Sequence, residues 1–485
     1  MAHTLPSRAK RARSSSTEST SDERLHPTLL REPSKRLKAT STALEPGTLD
    51  LTSSEQSESS EPDDSEQDDG HSPIDEADQG RAYPEGPPKV LPGHNHLIND
   101  PEWQHRLRLD WSREQVDEYL SGLPIFHFRR LSEEERNGIT PKGYWIAESE
   151  AVAQAYGPFF ENRKLADPRR PRLGVFFTEP GAWKQIVRTQ DCGIFVDATS
   201  FNPEKHFIFG VVIRDFLPET EVLKWMQKVA LRTVAMGRDA RRDDNGRMVQ
   251  HSYTRGARGK YPITAAANIE KRYDPEVISQ HQHDHVSIQS LLWNMARKKM
   301  PHSITEAFES VMAGLPRSNW NTKRVDRDAI SNISIKAGDI DLDFTTGPEG
   351  LELGPPSGFC ASQYSKECHS DANHPLCSYV ASLTTERNAG PERFGSFFWA
   401  DYGIKVENST NTFIVHRSDM LHGTTLHDVE PGCKDADALV KNLVHSGWSM
   451  FVANNLEKAL ARYKKYGNRK PDENEDDEDF DPEDE

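Results

Sequence analysis

Between Gln363 and Leu426 the chain leaves room for little besides short strands joined by turns. CSYVASLTT (377–385), GSFFWADYGIKV (395–406) and NTFIVHR (411–417) are rich in β-branched and aromatic residues and broken by Asn, Gly, Pro and Asp. His369 and Asp371 precede these runs, and His422 follows them 53 residues after His369. Side chains at i and i+2 of a strand point to one face. An H-x-D at a strand end therefore aims an imidazole and a carboxylate at one point, and a histidine from a distant strand can complete a facial triad. Two histidines and one carboxylate with open positions suit non-haem Fe(II). The strand order fits an α+β fold with a double-stranded β-helix (jelly-roll) core flanked by helices.

Two rival readings of the ligands stay open. His416 could replace His422, although no Gly-Thr follows it. Zinc could be held by Cys360, Cys368, His369, His374 and Cys377, although no C-x-x-C is present.

At these residues the chain resembles the TET/JBP branch of Fe(II)- and 2-oxoglutarate-dependent dioxygenases, in particular the TET-like proteins of mushroom-forming fungi. The matching text is His369-Ser-Asp371-Ala-Asn373-His374 and Leu421-His422-Gly423-Thr424-Thr425. The resemblance implies Fe(II) held by His369, Asp371 and His422, 2-oxoglutarate as co-substrate, and a methylated DNA base as substrate, with 5-methylcytosine foremost. A base in a duplex would have to be flipped out to reach a recessed metal. Asn373 and His374, just past the iron carboxylate, become candidates for its edge, or a plain polar turn.

One departure stands out. The family carries an arginine about a dozen residues after the distal histidine, for the far carboxylate of 2-oxoglutarate. Here the matching strand reads His445-Ser-Gly-Trp-Ser-Met-Phe-Val452, and no arginine lies between Arg417 and Arg462. A buried dicarboxylate without a cation is costly. Arg387, Arg393 and Lys441 are the candidates for that charge. The alternatives are a protein or small-molecule hydroxylase of the same superfamily, and an inactive nucleic-acid-binding protein.

Charge is unevenly placed. The net of -17 comes from the ends: residues 1–80 carry 17 acids and 9 bases, and 471–485 carry 11 acids and no base, which leaves about +2 between them. Such a core is compatible with nucleic acid. Residues 1–85 read as a disordered tail. Its clusters Arg8, Lys10, Arg11, Arg13 and Lys35, Arg36, Lys38 resemble nuclear import signals, or merely solubilise. Residues 468–485 read as an acidic disordered tail. No run is apolar enough for a membrane span, no secretory signal is expected, and five cysteines suit a reducing compartment.

Between the tails, 86–210 reads as an α/β support region and 211–467 as the dioxygenase domain. Helices are expected at Arg113–Leu120, 147–156, 181–188, Glu219–Met236, Val286–Met300, Ile304–Leu315 and Ala453–Tyr466. Strands are expected at Leu173–Phe177, Gly193–Asp197, Phe207–Ile213, Ile333–Ile335 and Ile340–Phe344. The Arg-rich stretch 232–260 reads as a mobile basic insertion, where Tyr253 and Tyr261 could stack on bases or lie in a solvated loop. His281, His283 and His285 read as a solvated loop before a helix. Arg317, Lys323, Arg324 and Arg327 around Trp320 form a second basic patch.

Overall fold

The computed structural model describes residues 101–161, 173–254, 264–265, 273–315, 317, 332–337, 340–345, 351–371, 374–435, 443–454 and 456–466. Both tails, Asn373, Lys441, Tyr261 and the patch from Trp320 to Arg327 lie outside them.

In chain order the elements begin with α1 (Pro101–Arg106), α2 (Arg113–Ser121), β1 (Ile125–Phe128), α3 (Glu133–Asn137), β2 (Trp145–Ala147), α4 (Glu150–Glu161), β3 (Val175–Phe177), β4 (Gln185–Val187), β5 (Gly193–Asp197) and β6 (Phe207–Ile213). There follow α5 (Thr220–Met236), β7 (Asn245–Thr254), β8 (Thr264–Ala265), α6 (Pro275–Arg297), α7 (His302–Met312), β9 (Asn332–Ala337) and β10 (Ile340–Thr345). The last stretch holds β11 (Ser357–His369), β12 (Tyr379–Arg387), β13 (Phe397–Trp399), β14 (Ile404–Val406), β15 (Thr412–Arg417), β16 (His422–Thr424), β17 (His445–Phe451) and α8 (Leu456–Tyr466). Ser112 and Ser132 start α2 and α3 with reciprocal capping boxes to Gln115 and Glu135.

The fold is mixed α+β, built on a large, strongly curled, mostly antiparallel sheet. Its hydrogen-bonded path runs β1-β5-β6-β15-β12-β17-β11-β16-β13-β14-β4, with β7 also on β11. The curl comes from β11. Its first half, Ser357–Ser362, pairs with β17 and β7, while Lys366 and His369 pair with β16. Between the halves Gln363 takes φ 47, a left-handed conformation rare outside glycine, and turns the strand from one side of the curl to the other. Gly246 (φ 72) lies so close to the Gln363 carbonyl that a Cβ there would collide with it.

Two apolar layers fix the curl. Outside, α5 and α6 lay Trp225, Met226, Leu291 and Trp293 in one cluster with Leu383, Phe413 and Trp448 of the sheet. Inside, Phe195, Phe209 and Ile414 from one side of the curl meet Trp399, Tyr402 and Ile404 from the other. Phe209 stacks on Tyr402 with ring centres 3.8 Å apart. Each fully buried large apolar side chain is worth about 1.5–3 kcal/mol, so the two layers hold the strands that carry the ligands.

Several expectations are corrected. Residues 181–188 are not helical: Gln185–Val187 forms β4, parallel to β14. The stretch 232–260 is not one mobile loop. Arg232 ends up on α5, and Asn245–Thr254 is a ten-residue strand whose pairing with β11 overrides its polar composition. Tyr253 is buried at 1% exposure, so it cannot stack on a base. His281 and His285 lie inside α6, one turn apart and buried against Thr233 of α5. Across the two expected regions, β6 bonds to β5 before it and to β15 after it. Among the described residues no helix is long and apolar enough to cross a membrane.

Candidate metal centre

Three elements bring the ligand set together. His369 ends β11, Asp371 follows two residues later, and His422 opens β16 directly opposite His369 in the ladder. The Asp371 amide donates to the Ser418 carbonyl at 2.7 Å, which fixes the turn after β11. His369 Nε2 lies 3.4 Å from one Asp371 oxygen, and His422 Nε2 lies 3.7 Å from the other. One ligand atom from each of the three residues lies within 4.8 Å of the others, and it is the only such His/Cys/Asp/Glu group among the described residues.

The tautomers suit a metal. His369 Nδ1 sits 2.8 Å from the Glu367 carbonyl, and His422 Nδ1 sits 2.8 Å from the Met420 carbonyl. An Nδ1–H given to a carbonyl leaves the Nε2 lone pair free, and both Nε2 atoms face the carboxylate. The low-dielectric surroundings oppose ionisation of Asp371, but His369, then His422 and Arg241, outweigh them and hold its carboxyl well below the usual range. Burial pushes His422 down to about 4. For His369 burial also disfavours the charged form, but the Asp371 carboxylate prevails and raises its pKa. The centre is thus a carboxylate between two imidazoles, open on the Asp371 side, where the side chain is 45% exposed. That donor set, two imidazole nitrogens and one carboxylate, fits a divalent transition metal such as Fe(II).

The rival ligands sit elsewhere. His416, on β15, lies with its ring tilted 4.6 Å from that of His422 and is buried with Nδ1 unbonded, but it is outside the triad. Cys360, Cys368 and Cys377 are buried thiols, and burial raises the pKa of each. His374 is buried and pairs with Glu457 of α8 at 3.3 Å.

Of the two described candidates for an anion partner, Arg387 is the enclosed one. It ends β12 and lies in register with His445, the first residue of β17. Its guanidinium is buried and reaches the Gly390 carbonyl at 3.0 Å, the Phe394 carbonyl and His445 Nδ1. Nε has no partner, and among the described residues no carboxylate forms an ion pair with the group. Burial, only partly opposed by Glu392 and Glu148, lowers its pKa to about 10. His427, five residues after His422, lies with its ring tilted 5.0 Å from that of His445, the residue Arg387 reaches. Arg393 is instead half-exposed and held by Asp428.

Sequence reasoning had Arg241 only as one of the arginines of the basic stretch 232–260, not as a neighbour of the triad. It sits on the loop before β7, its charge acts on Asp371, and Lys434 ties that loop down through Asp239 and the carbonyls of Arg241, Asp244 and Gly246. The cluster of arginines in 232–247 was the available signal.

No protein-family model and no curated protein matches the chain. Among solved structures, NgTET1 in complex with 5mC DNA aligns at 9% identity over 76% of this chain and 100% of that chain, with a TM-score of 0.37. OsALKBH1 aligns at 12% identity over 50% of this chain and 96% of that chain, with a TM-score of 0.24. At these scores neither neighbour speaks for this chain, and its chemistry rests on its own site.

Proposed function

We propose that this chain is an Fe(II)- and 2-oxoglutarate-dependent dioxygenase of TET/JBP-like type that oxidises a methylated base in DNA, with 5-methylcytosine the first candidate. The carrying observation is the triad: two imidazoles with Nδ1 fixed on carbonyls and Nε2 aimed at one carboxylate, at the open end of a curled sheet. The strand order supports a double-stranded β-helix. One side of the curl alternates β11-β17-β12-β15 and the other β11-β16-β13-β14, as a hairpin wound into a helix would.

In this reading His369, Asp371 and His422 hold the iron. Together with 2-oxoglutarate, iron supplies the oxidation of an unactivated C–H bond when both are bound. Arg387 receives the far carboxylate of the co-substrate, and its unbonded Nε and lack of an ion-pair partner among the described residues leave it ready for one. The carbonyls of Glu367 and Met420 keep both imidazoles in the ligating tautomer. Trp399, opposite His422 in the ladder, and Phe397 wall the ligands from water. The basic clusters of the N-terminal segment are proposed as nuclear import signals.

The test uses the full chain with Fe(II), 2-oxoglutarate, ascorbate and DNA carrying 5-methylcytosine or N6-methyladenine, with nucleosides read by mass spectrometry. Oxidised or demethylated base that disappears in Asp371→Ala supports the reading. Succinate without DNA turnover keeps the oxygenase and rejects this substrate. Neither product from the wild type rejects the enzyme.

A further inference from the structure

A ladder of arginines and aromatic rings runs away from the metal centre. Asp371 is bonded through its amide to Ser418, whose neighbour Arg417 stacks over Phe207 at 4.6 Å. On the same ring Arg130 stacks at 5.6 Å. Carboxylates hold both guanidinium planes: Asp419 pairs with Arg417, and Asp197 accepts from Arg130 Nε at 2.7 Å. Next to Arg130, Arg129 lies 5.0 Å over the ring of Phe201. Phe201 is 90% exposed on the loop between β5 and β6. Neighbouring residues of the same loop and ladder, Arg130, Asp197, Thr199, Ser200, Lys205 and Phe207, line an open cleft of about 330 Å³.

A phenylalanine this exposed leaves most of its apolar surface in water, which folding alone does not reward. Its surroundings define what could cover it. Arg129 and Lys205 have no carboxylate partner among the described residues, and Glu204 is the only acid in 199–207. An occupant therefore needs a flat π face and negative charge spaced beside it. Unpaired nucleotides have both, because every base offers a face to an aromatic ring and every linkage carries a charge.

We infer that the β5–β6 loop and this ladder form a contact surface for unpaired nucleotides of a nucleic-acid strand, a base stacking on Phe201 and adjacent phosphates meeting Arg129 and Lys205. It rests on the nucleic-acid reading above and assigns a strand path beside that centre. Arg417 and Arg130, held edge-on by their carboxylates, extend the path towards Asp371.

The test measures binding, which needs no turnover. Full-length protein is titrated into a fluorescein-labelled single-stranded oligonucleotide and followed by anisotropy at several salt concentrations. Phe201→Ala weakens binding about tenfold or more, with the salt slope unchanged, and Phe201→Trp restores it. Arg129→Gln and Lys205→Gln each flatten the slope of log K against log salt by roughly 0.7. All three side chains are exposed, and unchanged thermal melts establish that the variants fold. Equal affinity of wild type and Phe201→Ala overturns the surface, whether or not methylated DNA is oxidised. Phe201-dependent binding by a protein that oxidises no DNA keeps the surface and rejects the catalytic reading. Displacement of the strand by an acidic peptide as readily as by unlabelled oligonucleotide also overturns it.

Discussion

Lowering the pH should unfold this protein from behind β11, and one histidine should carry a measurable share. His251 of β7 is fully buried, and burial pushes its pKa down to about 3. His281 is held down to about 3 by burial and then by Arg232, and its neighbour His285 lies well below its ordinary value. His251 faces His285 on α6 and Trp448 on β17, with ring centres 5.0 and 5.1 Å away, and packs on Gly358 of β11; behind His285 lie His281 of α6 and, bonded to it, Arg232 of α5. The Asp284 carboxylate is already taken by Arg232, so it does not neutralise a second charge. The unfolded chain protonates each histidine near pH 6.5, about. The stability these groups lend is therefore complete above that pH and lost as pH falls towards 3. At pH 5 one such group costs the folded state about 2 kcal/mol relative to neutral pH. The assay is urea denaturation of wild type and His251→Gln from pH 7.5 to 5 in the presence of a chelator. The variant should lose about 2 kcal/mol less than the wild type over that range. Parallel pH profiles for the two proteins would refute the reasoning, because they would mean that His251 is not held neutral by the core.

Three further outcomes follow from packing and charge. Gly210→Ala puts a Cβ into the indole of Trp399, the residue opposite His422, and should cost about 1–3 kcal/mol in denaturation and weaken Fe(II) binding in an anaerobic titration. Lys299 is buried, its ammonium donating to the Phe216 carbonyl, and burial lowers its pKa to about 7. Its unfolded pKa is higher, so wild-type stability should rise by about 2 kcal/mol from pH 7 to 9, while Lys299→Met stays flat by the same denaturation assay. Asp371→Ala should abolish stoichiometric Fe(II) binding in an anaerobic titration while the variant still folds.

The triad was legible because its spacing is local chemistry: i and i+2 at a strand end, then one histidine with a small residue behind it. The strands β6 and β15 were legible because their apolar runs are nearly continuous, and β10 because Ile340, Leu342 and Phe344 alternate with Asp341 and Asp343. β7 was hidden by Arg, Asn and Gln. Its alternation of buried Val249, His251 and Tyr253 is the signal that composition masked. His281 and His285 were misread because polar side chains at helical spacing look solvated until Thr233 of another helix is placed against them. The curl itself hinges on a positive φ at Gln363, which no propensity of glutamine announces.

The missing arginine is the case in which register, not sequence order, decides. Along the chain Arg387 and His445 are 58 residues apart, yet they are partners across the β12–β17 ladder. Directly opposed residues in an antiparallel pair have Cβ atoms about 4.5–5.5 Å apart, less than the length of an arginine side chain. A guanidinium launched from β12 can therefore reach the region that one launched from the start of β17 would reach. If that equivalence holds, exchanging the pair should be tolerated. Arg387→His alone should lose most 2-oxoglutarate affinity in a calorimetric titration of the Fe(II)-loaded protein, and the double variant Arg387→His/His445→Arg should recover much of it. Since the swap conserves composition and charge, a folded double variant as weak as the single one would show that the anchoring cation lies elsewhere. Undiminished affinity in Arg387→His would show the same, and would turn attention to Arg241, whose charge already acts on Asp371.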